Sequence, residues 1–274
     1  MSENILHFPD HMALENEVRQ LTDELVDLIV EVDEMTEVEQ ERISDDYLAV
    51  FGAAECRIAQ AEYHLHRLER KLELIRGRKL LPGSAELTQV EHRLDRELEH
   101  ELELVEEKRR GMTAMLRRRR VDHSTDVDAR DFRETYRTIV RRTHPDLHDD
   151  LTEETYHHYS CARQALHSGD LLACLMLMYM YDDPVIVDDR KRSTQALLQE
   201  REKLMGKISS MRETLRRQQE SFPFCMQALL ADDQLRTEHA AELEDKLRRT
   251  EARCTAKQAE IEHELTAGHT DKNA

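Results

Sequence analysis

Hydrophobic residues near the start of the chain repeat at alternating steps of four and three. The repeat comprises Leu14, Val18, Leu21, Leu25, Leu28, Val32 and Met35. This spacing keeps a narrow apolar stripe on one face of a helix and predicts pairing with another helix. The repeat slips near ISDD at 43–46, where Ser44 either caps a new helix or marks a stutter.

Two further apolar stripes lie on either side of a turn signal. One covers 47–75 and the other 87–116, and the segment GRKLLPGS at 77–84 separates them. Its Pro82-Gly83 pair favours a turn, and Ser84 is a candidate cap for the next helix. Because the two arms have similar lengths, the pattern predicts an antiparallel coiled-coil hairpin that turns near 81–84.

The heptad repeat stops between Val121 and Asp189, where tyrosines cluster and the elements shorten. The pattern predicts three short helices, at about 130–143, 152–167 and 171–181. The third is apolar nearly all round, so we expect it to be the most buried of the three.

Three residues punctuate these short helices. Pro145 should end the first, because a proline in a helix interior removes a hydrogen bond and clashes with the preceding turn. Gly169 suits the left-handed position that follows a helix, and Asp170 suits the cap of the next.

Heptads resume after DDPVIVDDR (182–190), with apolar positions between Leu197 and Leu265. SFPF at 221–224 interrupts them. Pro223 either joins two arms of a second hairpin or kinks one long helix, and the pattern leaves both alternatives open.

Composition supports an all-α chain with narrow seams instead of one large core. Charged residues make up 36% and aromatic residues 4%, with no Trp and few turn formers (7 Gly and 5 Pro). Abundant Glu, Arg, Leu and Ala favour long helices. We therefore predict an elongated, all-α protein of antiparallel coiled-coil hairpins flanking a small helical module.

Charge and cysteine usage exclude several classes. The net charge of −18 disfavours binding to nucleic acid or to anionic membranes. The N-terminus has no secretory pattern, and the apolar run at 171–181 is about half of the ~20 residues that span a bilayer. Five cysteines without a C-x-x-C pair are typical of reduced thiols, so we expect a cytoplasmic protein.

The stretch that carries candidate chemistry is RRTHPDL at 141–147. Apolar residues 12, 8, 5 and 4 positions before His144 form one helical face: Phe132, Tyr136, Ile139 and Val140. The remaining surface of the helix carries four cations, which we call the arginine row: Arg133, Arg137, Arg141 and Arg142. The pattern predicts an amphipathic helix with one side for its own domain and a cationic side for another molecule.

This arrangement of two helices joined by a His-Pro-Asp segment resembles the J-domain. DnaJ-type co-chaperones engage DnaK-type chaperone ATPases through that domain. J-domain second helices are similar in having a Tyr eight residues before the His, and basic residues at the positions of Arg133, Arg137 and Arg142. YHHYSCARQAL (156–166) looks like the third helix. QALHSGDLLACL (164–175) is similar to the ending of a divergent bacterial J-like group that also carries coiled coils.

Two departures from the J-domain pattern stand out within about 126–182, the range of the resemblance. HSTDVDA (123–129) replaces the usual first helix with its Tyr and Leu-Gly, and Leu147-His148 replaces the common Lys-Asn. We expect the helix at 171–181 to supply the packing of the missing first helix. On this basis the domains are an N-terminal coiled coil, a J-domain-like module, a C-terminal coiled coil and a polar tail, at 1–122, 123–184, 185–268 and 269–274.

The resemblance implies docking by charge and activation by contact. The arginine row is expected to meet an acidic patch of the chaperone, while His144, Pro145 and Asp146 contact the seam between its ATPase and substrate domains. This mechanism requires an exposed loop and arginines that are not neutralised by acids of the same chain.

A purely structural role is the alternative to chaperone activation. In that alternative the His-Pro-Asp segment only connects two helices, and the chain is a coiled-coil scaffold whose J-like module is a non-activating packing unit. His144, His148, His157 and His158 with Cys161 lack the geometry of a metal site, because Pro145 separates the first pair and adjacent residues diverge on a helix. We therefore expect no metal and no cofactor.

Other features favour structural roles. The basic run at 117–120 suits a helix end beside acidic neighbours better than nucleic acid, and the Met-rich run at 176–180 suits a module core better than a client groove. The chain has no phosphate loop and no credible nucleophile or paired carboxylates, so we expect no enzyme. The client and any homo-oligomer stay open.

Overall fold

The computed structural model describes residues 8–76, 85–118, 126–148, 151–180 and 193–270. These residues form helices and contain no β-strand, so the all-α prediction is confirmed for them. The predicted turn at Pro82-Gly83, residues 119–120 of the basic run, the segment 182–190 and the end of the polar tail lie outside the described residues.

Ten α-helices run through the described residues, numbered in chain order. They are α1 (Phe8–Glu34), α2 (Gln40–Arg76), α3 (Ala85–Glu97), α4 (Glu99–Arg118), α5 (Asp126–Thr143), α6 (Glu153–Ser168), α7 (Leu171–Met180), α8 (Thr194–Glu220), α9 (Gln227–Ala231) and α10 (Asp233–Thr270). None of them combines the length and the apolar character that crossing a membrane requires.

The chain divides into two compact units, each built from segments that are distant in sequence. The first unit comprises Met1–Ser44 and His123–Cys225, and the second Asp45–Asp122 and Met226–Ala274. The J-domain-like segment therefore shares its unit with the first heptad stripe of the chain.

The slip in the first heptad stripe has a local cause in the first unit. A five-residue π-helical turn, Met35–Glu39, separates α1 from α2. A π turn inserts one extra residue and so shifts the face that follows it. Ser44 lies inside α2 and caps no helix, so the first of the two alternatives at 43–46, a helix cap, is excluded.

In the first unit α1 and α8 run parallel to each other. His11 is within 3.1 Å of Thr194, and Glu17 and Glu24 of α1 meet arginines 184 and 188 residues later on α8. A single apolar core joins these helices to α5, α6 and α7. Its fully buried members include Leu25, Val26, Ile29, Val30, Ile139, Val140, Ala162, Cys174 and Leu197.

The helix α7 is less buried than its composition predicts. Cys174 is its one fully buried residue, and burial raises the pKa of the Cys174 thiol to about 12. Four large side chains on the opposite face are 62–67% exposed: Leu172, Met176, Tyr179 and Met180. A helix with apolar residues all round is buried only on the side that neighbours cover, and here α5 and α6 cover one side.

Packing against α5 is shared in the first unit. Both α7 and α1 contact α5, and α1 contributes Val26, Ile29 and Val30 to the same core. Both helices therefore cover α5, and the expectation that α7 supplies the packing of a first J-domain helix stays a prediction.

The second unit contains α3, α4, α9, α10 and most of α2. His66 of α2 meets Glu101 of α4 at 2.8 Å and Lys71 of α2 meets Glu91 of α3 at 2.5 Å, so α2 runs antiparallel to α3 and α4. Glu62 of α2 meets Lys246 of α10 at 2.8 Å and Arg76 meets Glu260 at 3.1 Å, so α10 runs parallel to α2. The core of these helices contains Leu65, Leu68, Leu72, Ile75, Val90, Leu94, Leu98, Cys254 and Ile261.

Pro223 lies between helices. α8 ends at Glu220, a 3₁₀ turn covers Phe224–Met226, and α9 begins at Gln227. A single helix kinked at Pro223, one of the two alternatives, is therefore excluded.

Candidate functional site

The helix α5 has the amphipathic form that its sequence predicts. Its apolar face is buried, with Tyr136, Ile139 and Val140 at 0% exposure and Phe132 at 9%. The helix ends at Thr143, whose hydroxyl donates to the Ile139 carbonyl at 2.8 Å. Pro145 follows two residues later and cannot continue the helix, as expected.

A short loop at 144–148, which we call the HPD loop, follows α5 and holds its shape by internal bonds. The Asp146 backbone N–H donates to Nδ1 of His144 at 3.0 Å, and the Leu147 N–H donates to the His144 carbonyl at 3.0 Å. The His144 ring packs edge-on against Tyr159 of α6, with centroids 4.7 Å apart. His144 thus acts as the internal brace of the loop.

His144 is buried, with 7% exposure. Burial lowers its pKa to about 4, opposed by nearby Asp146 and assisted by Arg163, Lys207 and His148. The ring is consequently neutral at pH 7, and accepting at Nδ1 places its proton on Nε2. A buried neutral imidazole does not match the exposed imidazole that the sequence predicts at this tip.

The rest of the tip is accessible in part. Pro145 is exposed, and Asp146 is half-buried. Lys207 of α8 donates from Nζ to the Asp146 carbonyl oxygen at 2.6 Å. The HPD loop therefore presents Pro145 and one side of Asp146 to solvent while α8 fixes its backbone.

The arginine row faces carboxylates of α1. Arg133 lies 3.4 Å from Glu34, and Arg137 bonds Asp27 at 2.5 Å. Arg141 pairs with Asp23 in the same way. The residue numbers of the paired acids rise along α1 while those of their arginines fall along α5, so the two helices are antiparallel. We call these three pairs the charge ladder.

The charge ladder corrects the prediction of a cationic side reserved for another molecule. Three of the four arginines have acidic partners in the same chain, and Arg142 also interacts within the chain. Each acid cancels much of the field of its arginine beyond a few ångströms. The Arg137 and Arg141 pairs are solvent-exposed, however, and such pairs contribute only about 0–1 kcal/mol each, so they can exchange partners.

A buried polar cluster next to the ladder has no counterpart in the sequence interpretation. Asp33 of α1 is 6% exposed, and its Oδ2 accepts hydrogen bonds from Tyr136 at 2.7 Å and Tyr159 at 2.8 Å. Arg163 lies 3.7 Å from Oδ1. A buried carboxylate is tolerated only when it is hydrogen-bonded, and here helices α5 and α6 supply the partners of Asp33.

Burial governs the ionisation of this cluster. It raises the pKa of Asp33, against the two tyrosine hydrogen bonds and the nearby Arg163, which lower it. It also raises the pKa of both tyrosines, with the Asp33 charge adding to the effect. Val26, Ile29 and Val30 form a second apolar row on α1, and Asp33 lies on the same helical face. This row is the sequence signal that could have predicted the burial of Asp33.

A shallow cleft of about 310 Å³ opens beside the cluster, between α6 and the π turn. Arg163 pairs there with Glu37, and Nδ1 of His167 lies 2.9 Å from the Glu37 carbonyl oxygen. With its cation and its carboxylate already paired, the cleft offers no unmatched charge to a ligand.

The remaining candidate residues do not form a site. His157 lies 3.7 Å from the thiol of Cys161, and its ring centroid lies 6.4 Å from that of His158. Within the described ranges, no group of three or more His, Cys, Asp and Glu side chains is arranged to hold a metal ion. Of the basic residues near 117–120, Arg109 and Arg110 face Glu106 at 3.8 Å.

Comparison of the chain with protein-family models, with curated proteins and with solved structures finds no match. The resemblance to J-domains therefore rests on the residues of α5, the HPD loop and α6 named above.

Proposed function

We propose that the chain is a J-domain-like adaptor that engages a DnaK-type chaperone ATPase through the HPD loop, with its coiled coils binding a partner or client. The observation that carries the proposal is the HPD loop itself. His144 orders the loop from within, and Pro145 and Asp146 lie at its accessible tip between two helices.

We expect the chaperone to contact mainly Pro145 and Asp146 at the tip of the HPD loop, and the arginine row of α5 to a lesser extent. Pro145 has a fixed backbone angle and Asp146 is held by two hydrogen bonds, so little conformational entropy is lost when a partner binds there. The charge ladder neutralises the arginine row, so the requirement for docking by charge is not met and the proposal rests on contact at the tip of the HPD loop. The expected association is therefore weak and only moderately dependent on salt.

The test is the ATPase rate of a DnaK-type chaperone with and without this protein. We expect stimulation by the intact chain, loss of stimulation in Asp146→Asn, and loss in His144→Gln through disorder of the loop. His157→Gln is the matched control, since His157 is an exposed histidine of α6 outside the HPD loop. The proposal fails if the intact chain gives no stimulation, and the assigned tip fails if Asp146→Asn stimulates as well as the intact chain.

A helical scaffold is the second candidate function, and the charge ladder favours it. In this alternative the signature residues serve packing: Tyr136 holds Asp33, the arginines pair with α1, and His144 packs on Tyr159. The module would then join helices of one scaffold without activating a chaperone. Absence of stimulation together with a light-scattering mass above that of one chain supports this alternative.

A further inference from the structure

We propose that Asp23 and Asp27 of α1 form a built-in competitor for the arginine row, which limits how strongly an acidic partner surface docks on α5. The inference rests on the proposed function, since the partner is the chaperone engaged by the HPD loop. It assigns a regulatory role to a helix that lies about 100 residues before the J-domain-like segment.

The register of α1 makes this competition specific. Asp23 and Asp27 are four residues apart on α1, and Arg137 and Arg141 are four residues apart on α5. Because the helices are antiparallel, each acid lies opposite one arginine on two successive turns. Glu34 continues the ladder towards Arg133 at 3.4 Å. An acidic partner must replace these carboxylates at the same guanidinium groups.

The competition takes place between side chains while α1 stays in place. Val26, Ile29 and Val30 are at most 1% exposed in the shared core, and Asp33 is bonded to Tyr136, so release of the whole helix would open the unit. The ladder side chains, in contrast, are 39–58% exposed at Asp23, Asp27, Arg137 and Arg141. Exposed pairs exchange at small cost.

Helix α1 offers a matched control for this inference. Glu17 and Glu24 are exposed to a similar degree on the same helix but pair with Arg201 and Arg212 of α8. The double variants Asp23→Asn/Asp27→Asn and Glu17→Gln/Glu24→Gln both remove two negative charges. They differ in whether the acids face α5 or α8.

The experiment measures binding of each double variant to the DnaK-type chaperone at several salt concentrations. We expect Asp23→Asn/Asp27→Asn to bind about three- to tenfold more tightly than the intact chain, because Arg137 and Arg141 become available to the partner. The gain should vanish near about 0.5 M salt, where exposed charges are screened. Adding Arg137→Gln/Arg141→Gln to that variant should abolish the gain, and Glu17→Gln/Glu24→Gln should change binding by less than about twofold.

The outcomes separate the inference from the proposed function. If the intact chain binds and both double variants bind alike, the inference is wrong and the proposed function stands. If neither the intact chain nor Asp23→Asn/Asp27→Asn binds, both are wrong. A gain that survives Arg137→Gln/Arg141→Gln also overturns the inference, because net charge and not the ladder would then explain it. Circular dichroism checks that each variant keeps its helices.

Discussion

Tyr136 donates its phenolic hydrogen to Asp33, 103 residues earlier in the chain, at 2.7 Å. This bond ties the tyrosine of the J-domain-like signature to the first helix of the chain. Because both side chains are almost fully buried, the bond fixes which face of α1 meets α5. The signature residues thus have a packing role here, whatever partner the HPD loop contacts.

Removal of this hydroxyl tests the packing role. We expect Tyr136→Phe to lower the free energy of unfolding by about 1–3 kcal/mol, because a buried carboxylate loses one of its donors. Tyr156→Phe is the control, since Tyr156 is 56% exposed, and it should change stability by less than about 0.5 kcal/mol. Urea unfolding followed by circular dichroism measures both. Equal effects of the two substitutions would contradict the packing role.

The pKa of His144 predicts how stability depends on pH. Burial lowers it from 6.5 to about 4 in the folded chain, so between these values the unfolded chain binds more protons. Stability contributed by neutral His144 is therefore complete above pH 6.5 and is lost as the pH falls towards 4. We expect the fall in unfolding free energy between pH 7 and 4.5 to be smaller in His144→Gln than in the intact chain.

The control for this titration is His148→Gln, which removes an exposed histidine of the same loop. Of the two variants, His144→Gln should show the smaller fall in stability over the same pH range. The comparison concerns the change with pH within each variant, so any loss of stability from the substitution itself does not affect it. A fall of the same size in His144→Gln would refute the assignment.

Two glycines of the first unit should respond to alanine in opposite directions. Gly169 has φ of +68°, a left-handed conformation that alanine adopts poorly, so Gly169→Ala should cost about 1 kcal/mol. Gly206 lies within α8, and an added Cβ there meets nothing within 4 Å. Gly206→Ala should therefore raise stability by about 0.5–1 kcal/mol. Thermal unfolding measures both, and a shift of the same sign would contradict the local geometry.

The bond from Lys207 to the Asp146 carbonyl can be tested by hydrogen exchange. We expect Lys207→Met to speed exchange of the Asp146 and Leu147 amides, because the loop loses its brace from α8. Arg212→Met is the control on the same helix, since Arg212 pairs with Glu24 of α1. Unchanged loop protection in Lys207→Met would show that the internal bonds of the loop suffice to hold it.

Helix ends were the most predictable part of the fold. Thr143 precedes the loop at Pro145, Gly169 adopts the left-handed conformation, and the Asp170 carboxylate accepts from the Ala173 N–H at 2.9 Å. Each follows from the chemistry of one residue and its immediate neighbours. The burial of the apolar face of α5 was predictable for a similar reason, since helical spacing alone places its residues together.

The candidate site was predictable only in part. Helical spacing places Arg137 and Arg141 on the outward side of α5, and the structure agrees that both are partly exposed. The acids that face them belong to a segment more than 100 residues earlier, and the heptad stripe of that segment gives no sign of this partnership. The second apolar row of α1, which ends at Asp33, is visible in the sequence. The sequence does not indicate that this row packs against α5.

The sequence alone determined that the chain is helical, where its short helices end, and which faces are apolar or charged, because these depend on residues within one or two turns of each other. Tertiary structure decided what covers each face. It placed α1 beside α5, buried His144 against Tyr159, and left Met176 of α7 exposed. The physical reason is that helical periodicity specifies a surface and not its partner, and the partner is selected by the packing of helices distant in sequence.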